Sequence, residues 1–489
     1  MNVALLSAAA RDANPYIDLL CGGLASAGVD VTLVQDAGED GLPAAAQQAD
    51  LIHLHWLELW GRPEYSSLAG LSRWGLPGRG MRRWLEPALN SAPAFARRRQ
   101  RFLDRFFAAL AAYQARGGRL VYTVHNLAQH EGEGGAVEAA ALRQLLARAD
   151  GLHVHAGYMA DQVQRLRGSG SVGDRPQQRD LSGSVGDRPQ QCDLGGSVGD
   201  RPQQRDLGGS VGDRPQQCDL SGLVGDRPQQ RDLGGSVGDR PQQRDLSGSV
   251  GDRPQQHGID SSGRSLRSTP EGPTEPAPRI AVIPHGHYID AYPNTVARAD
   301  ARRTLQLPAP STVYLFLGLI RPYKGLEELL PAFGSLPDPD ARLLVAGRPR
   351  PADYAARLAA QAAGDGRLYW HPRFVPSDQV QLWMNAADVV ALPYRQITTS
   401  GAAMLAWSFG KPVIAPALPA FVEPMAAAPF LGLLYDPADP RALAEALRQA
   451  AQIDWQAQRA TILAWARQFD WPGIGQQMAA LYRRVMRDT

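Results

Sequence analysis

The sequence predicts an α/β protein built from two doubly wound parallel sheets that face each other across a cleft, with a disordered repeat inserted between them. Three observations carry this expectation. Short, continuous apolar runs alternate with amphipathic stretches on both sides of the middle of the chain, the pattern of buried parallel strands joined by helices. The phrase Val-Gly-Asp-Arg-Pro-Gln-Gln recurs seven times, from Val172 to Val250, at a strict 13-residue period. The segment from Leu317 to Gly325 reads as a glycine-bearing strand-to-helix turn that carries Arg321 and Lys324.

The first half opens with a strand over 3–6, a helix over 15–27 and a strand over 29–34. Residues 51–56, His-rich and apolar, form a third strand. A helix over 99–115 enters a fourth strand at 119–125, and a helix over 142–149 precedes a fifth at 151–155. The second half is expected to start with a strand over 279–285. Further strands follow at 313–317, 341–346, 368–371, 388–392 and 412–414, with helices at 326–333, 353–362, 377–386 and 441–453. The tail, 471–486, is amphipathic and helical. The organisation expected is therefore a Rossmann-like domain at 1–167, an insertion at 168–278 and a second Rossmann-like domain at 279–468. A terminal helix over 469–489 is placed to pack back on the first domain. Each repeat offers one valine and usually one leucine among Gly, Pro, Asp, Arg, Gln and Ser. That is too little apolar surface to offset ordering entropy.

At 489 residues the chain has room for two domains and extra material, and 44% hydrophobic content suffices for sizeable cores. A formal net charge of +2 gives no bulk argument for nucleic acid. Cys21, Cys192 and Cys218 form neither a disulfide framework nor a ligand cluster, which fits a reducing cytoplasm. The first residues lack a basic stretch followed by a long apolar run, so no signal peptide is read there. No apolar run reaches the roughly 18 residues that would suggest a membrane span.

The chemistry concentrates in the turn at 317–325. Strand-to-helix turns of α/β proteins bind phosphate, because backbone N–H groups and the positive end of the helix dipole point outward there. Lys324 and Lys411 are the only lysines in the chain, and arginine supplies every other basic side chain. A solvated surface turn is the plain alternative. The dinucleotide fingerprint Gly-x-Gly-x-x-Gly is absent from both first strands, and so is the P-loop pattern, which argues against a dehydrogenase or a P-loop enzyme.

Five segments, in order, make the chain resemble the GT-B glycosyltransferases, and more closely the bacterial enzymes of glycosyltransferase family 4. They are 282–288, with His285 and His287; 318–325, with Gly318, Arg321, Lys324 and Gly325; 343–347, ending in Gly347; 388–401, with Thr399, Ser400 and Gly401; and 408–414. The resemblance implies a nucleotide diphosphate sugar as donor and a glycan or lipid-linked glycan as acceptor, in bacterial polysaccharide or glycoconjugate synthesis. Arg321 and Lys324 would stabilise the departing diphosphate, with amides at Thr399, Ser400 and Gly401 as further donors. Contacts near Gly347 and Arg373 would select the base. His285 and His287, at the crossover between domains, are donor-binding candidates or hinge packing. Many members of the family carry two glutamates eight positions apart; here those positions hold Ile397 and Leu405. No cluster with metal-ligand spacing appears, so metal-independent chemistry is expected.

Acceptor and base fall to the first domain. His125 lies at a strand end facing the cleft, as a general base or as a structural histidine. His55, Asn14 and Glu131 are further acceptor-side candidates, with Asp12 and Tyr16 weaker ones. The stretch 60–101 combines Trp60, Trp74 and Trp84 with Arg73, Arg79, Arg82, Arg83, Arg97, Arg98, Arg99 and Arg101. It reads either as a peripheral contact with an anionic membrane or as a solvated helical face beside core aromatics. The expected location is the cytoplasm, at the inner face of the plasma membrane if that contact holds. No nucleic-acid reader motif is present. Two rivals remain beside a glycosyltransferase. One is a sugar-nucleotide epimerase of the same architecture. The other is a non-catalytic scaffold, which the missing glutamates would suit.

Overall fold

The computed structural model describes residues 1–8, 14–38, 41–60, 93–127, 135–168, 279–350, 352–361 and 363–487. The repeat tract with its expected disorder, Glu131, Asp12 and residues 61–92 lie outside the described residues.

The first half runs β1 (Asn2–Leu6), α1 (Tyr16–Ser26), β2 (Asp30–Val34), α2 (Ala44–Gln47), β3 (Leu51–His55), α3 (Pro93–Ala115), β4 (Arg119–Thr123), α4 (Gly135–Arg148), β5 (Gly151–Val154), α5 (Gly157–Gly168) and β6 (Arg279–Val282). Its six strands are all parallel, in the order 2-1-3-4-5-6. The second half runs α6 (Arg298–Thr304), β7 (Thr312–Leu317), α7 (Leu326–Gly334), β8 (Ala341–Ala346), α8 (Ala352–Gln361), β9 (Leu368–His371), α9 (Val380–Ala386), β10 (Val389–Ala391), α10 (Gly401–Ser408), β11 (Val413–Pro416), α11 (Pro419–Ala427), β12 (Gly432–Tyr435), α12 (Ala442–Ala450), α13 (Trp455–Ala466) and α14 (Trp471–Arg487). Its strands are also parallel, in the order 12-11-10-7-8-9. The strand order therefore reverses between β1 and β3 in the first sheet and between β7 and β10 in the second. Crevices at the carboxyl ends of strands open at such reversals.

One expectation is corrected. Arg279–Val282 is the edge strand of the first sheet, pairing with β5 in the register Gly151 to Arg279, and is not the head of the second sheet. Ladder bonds continue on both sides, Arg279 N to Asp150 O at 3.3 Å and Ile283 N to Val154 O at 2.9 Å. Ala281 and Ile283 join the core of the first half. The chain crosses to the second half only after Pro284.

Each sheet is packed on both faces. In the first half, α2, α3, α4 and α5 cover one face with Phe102, Phe106, Leu145 and Met159, while α1 and α14 cover the other. The terminal helix α14 thus lies on the first half. Its face of Ile474, Met478, Leu481, Tyr482 and Val485 is buried against Leu20, Leu24 and Val121. Burying a large apolar side chain of this kind contributes roughly 1.5–3 kcal/mol. The two helices touch backbone to backbone: a Cβ on Gly23 would stand 2.2 Å from the Trp471 carbonyl oxygen, and one on Gly475 would stand 2.0 Å from that of Gly23. In the second half, Tyr314, Phe333 and Leu447 fill one face, and Trp383, Trp407 and Phe421 the other.

Candidate active site

The carboxyl end of β7 carries the expected cationic turn. Gly318 N donates to Ala346 O at 3.0 Å, and Ile320 N to Arg348 O at 3.0 Å, so this loop runs beside the one after β8. Gly347 permits that approach, because a Cβ there would stand 1.7 Å from the Gly318 carbonyl oxygen. After Arg321, a single turn over Pro322–Lys324 ends at Gly325, whose φ of 72° lies in the left-handed region. A Cβ on Gly325 would also stand 1.8 Å from the Pro393 carbonyl oxygen. Glycine is required twice over here, by backbone conformation and by close contact. The contact draws the β7 loop against the β10 loop, at the point where the strand order reverses.

Lys324 sits in that crevice. Its Nζ donates to the Tyr394 hydroxyl at 3.2 Å and stands 4.8 Å from the centre of the same ring. Among the described residues it makes no ion pair. Burial, and then the neighbouring Arg321, lower its pKa, with Tyr323 opposing. Burial likewise raises the pKa of Tyr394, against a hydrogen bond with Ser400. Ser400 caps α10, its hydroxyl accepting from Ala403 N at 3.1 Å. Lys324, Tyr394, Ser400 and the amino end of α10 therefore form one connected group. Lys411 is the opposite case. It is buried, donates to the Ala387 carbonyl at 2.8 Å, and is held down to about 8 by burial, with Asp388 opposing. Arg373 is exposed after β9, beyond β8.

The carboxyl ends of β3 to β6 carry histidines, six of them buried or half-buried: His53, His55, His125, His153, His155 and His285. The tautomers of His153 and His53 follow from one carbonyl. His153 Nε2 meets the Ile283 oxygen at 2.9 Å, and a carbonyl only accepts, so the proton is on Nε2. His153 Nδ1 then accepts from the Thr123 hydroxyl at 2.9 Å. Thr123 accepts from His53 Nε2 at 2.7 Å, and His53 Nδ1 accepts from the Tyr482 hydroxyl at 2.6 Å. This directional chain ties α14 across β3, β4 and β5 to β6, with every ring neutral. Burial is the first cause that keeps it neutral. It lowers His153 and His285 to about 4, and lowers His53, His55, His125 and His155 well below the ordinary value.

His125 is not an open base. It is 6% exposed and stacked under Trp56 at 4.0 Å and 11°, and its Nε2 meets His55 Nδ1 at 2.9 Å. Trp56 itself has a φ of 47°, rare for a bulky residue. Tyr16 fills the space between these rings, within 5.9 Å of His55, His125, His155 and His285. Asn14 accepts from Tyr16 N at 3.0 Å and from the Tyr288 hydroxyl at 3.1 Å. His285 donates from Nδ1 to Gly286 O at 2.7 Å, which leaves Nε2 unprotonated; a Cβ on Gly401 would stand 3.6 Å from it. His285 thus meets the amino end of α10. His287 packs at the crossover: its N donates to Phe469 O at 2.9 Å, and its carbonyl accepts from Trp471 Nε1 at 2.7 Å.

Two described members of the tryptophan and arginine stretch are buried. Arg99 pairs with Glu138 at 2.7 Å and donates to the carbonyls of Trp60 and Leu57, and Trp60 Nε1 donates to Gly41 O. Arg97, Arg98 and Arg101 are exposed. Sequence reasoning missed Tyr158, Tyr394 and Glu423. It read 51–56 and 151–155 as strands without reading their histidines as one cluster.

Comparison with known proteins matches both halves. The Glycosyl transferase 4-like domain corresponds to residues 13–172, and Glycosyl transferases group 1 to residues 311–452. The chain belongs to the GT-B glycosyltransferases of the GT4-like type. It is 33% identical over 153 residues to a GDP-mannose:glycolipid 4-beta-D-mannosyltransferase of Xanthomonas campestris pv. campestris, a match spanning 31% of this chain and 41% of that protein. Solved structures share the fold. The sucrose-phosphate synthase of Thermosynechococcus elongatus aligns with a TM-score of 0.55 at 16% identity, covering 100% of both chains. Anabaena HepE in complex with UDP-glucose aligns with a TM-score of 0.53 at 14% identity, covering 99% of this chain and 100% of that one. The two positions where the family resemblance leads one to expect glutamate are filled by packing. Ile397 and Leu405 are half-buried against the core of the second half.

Proposed function

We propose that this glycosyltransferase moves a hexose from a nucleotide diphosphate sugar to a glycan or lipid-linked glycan acceptor. The observation that supports it best is the group formed by Lys324, Tyr394, Ser400 and the amino end of α10 at the reversal of the second sheet. Lys324 is a cation in an enclosed place with no carboxylate partner among the described residues, as a diphosphate site requires. Arg321 would grip an oxygen pair and Lys324 would act as a point charge. Thr399, Ser400 and Gly401 would add amide donors, and Gly318, Gly325 and Gly347 would let the backbone come close. Charge on the leaving diphosphate would then be met without a metal ion.

The neutral histidine edge of the first half suits hydroxyl groups rather than phosphate. His125, held by His55 and Trp56, would orient the acceptor or take its proton after a small opening, with Asn14 and His285 lining the crossover. A glycolipid acceptor is suggested by the mannosyltransferase relative. Work at the cytoplasmic face of a membrane, in polysaccharide synthesis, would follow from such an acceptor. The non-catalytic reading draws on Ile397 and Leu405.

The test is release of nucleoside diphosphate from a panel of sugar nucleotides, with and without a lipid-linked glycan fraction and with and without EDTA. Release that needs the acceptor and survives EDTA is expected. Binding without release would favour the scaffold, and sugar-nucleotide conversion without acceptor the epimerase.

A further inference from the structure

Among the described residues, two hydrogen bonds run from the amino end of α5 to the second half. Gly157 N donates to Glu423 Oε1 at 3.1 Å, which puts a carboxylate from α11 on the positive end of α5. The next residue, Tyr158, donates its hydroxyl to the carbonyl of Thr398. Thr398 lies between points that are already held. Arg395 N donates to Tyr323 O at 2.8 Å, Ile397 packs on the core, and Ser400 caps α10. A trans peptide unit is planar, so its N–H points opposite to its C=O. The unit that carries the Thr398 carbonyl also carries the Thr399 N–H. Directing the carbonyl at Tyr158 therefore directs the Thr399 N–H the other way, into the second half.

We propose that Tyr158 is a positioning residue for the donor: through the Thr398 carbonyl it aims the Thr399 N–H, and Glu423 on Gly157 holds α5 in place to do so. The inference rests on the donor reading above. It gives α5 a task in the second half's chemistry, and it supplies orientation in a loop where Ile397 replaces a family glutamate. A loop aimed in advance binds its ligand more tightly than one the ligand must order.

The test uses Tyr158→Phe, which removes only the hydroxyl, and Glu423→Ala, an exposed position. Hydrogen exchange over 396–401, the dissociation constant of the nucleoside diphosphate that binds wild type, and kcat and KM for the sugar nucleotide are measured on the full chain. With Tyr158→Phe, exchange in the loop should speed up and donor KM should rise roughly tenfold, with kcat changed far less. Glu423→Ala should shift both in the same direction by a smaller factor. Unchanged loop exchange and unchanged donor KM, even with lowered thermal stability, would overturn the inference and leave the donor reading intact. If Tyr158→Phe fails to fold, Glu423→Ala decides by the same readouts. Failure of wild type to bind any nucleoside diphosphate would sink both.

Discussion

The two halves share a parallel doubly wound plan, yet their carboxyl edges have opposite character. The first ends in neutral imidazoles bonded to one another and to carbonyls, closed over by Tyr16. The second ends in Lys324, hydrogen-bonded to the neutral Tyr394 hydroxyl and without an ion pair among the described residues, beside Arg321. One topology thus offers a neutral hydrogen-bonding edge and a cationic edge. The difference lies in the side chains that follow each strand, which is where function resides in such folds. It is the basis for proposing that hydroxyl groups belong to the first half and phosphate to the second.

The largest expected effect breaks the cationic edge. Lys324→Ala should lower kcat/KM for a sugar nucleotide roughly 10²–10³-fold, the range for loss of one preorganised donor to developing charge. Thermal stability without ligand should hardly move. Lys411→Ala should do the reverse, since Lys411 is committed to the Ala387 carbonyl. Stability should fall by roughly 1–3 kcal/mol and the nucleotide dissociation constant should stay put.

The next effect tests the neutral edge by pH. Histidines whose folded pKa is depressed bind fewer protons than in the unfolded chain. Their stabilising contribution is complete above about pH 6.5 and is lost as pH falls toward about 4. His153 and His285 alone would remove up to about 2.7 kcal/mol per pH unit in that window. Chemical denaturation at pH 7.5, 6 and 5 should show a steep fall, and His153→Asn should flatten it. A profile flat to pH 5 would contradict the neutral chain from Tyr482 to Ile283.

The smallest expected effect concerns the support beneath that edge. Gly475→Ala should cost roughly 1–3 kcal/mol through overpacking against Gly23. Since Tyr482 reaches His53 from the same helix, acceptor KM should rise in this variant while donor KM holds. Equal changes in both would blur the division of labour between the halves.

Much of the fold was legible because parallel strands bury both faces and read as unbroken apolar runs. The stretch 341–346 was placed to the residue, and 313–317 to within one. The cationic turn was legible because lysine is a rare choice in this chain and glycine at such a turn has specific physical causes. The destination of Arg279–Val282 was not, since an apolar run does not say which sheet has a free edge. Tyr158 with Thr398 and Gly157 with Glu423 stand 240 and 266 residues apart, and no local pattern joins them. The burial of His125 was hidden as well. It depends on Trp56 and Tyr16, whose positions only the folded sheet decides.

The central claim is that the reversal point of the second sheet binds a nucleoside diphosphate through Lys324. Calorimetric titration of wild type and Lys324→Ala with UDP, GDP and ADP tests it most directly. One of them is expected to bind wild type, with an affinity that falls at least tenfold in the variant. Equal affinity in both proteins, or no binding of any of the three to folded wild type, would contradict it.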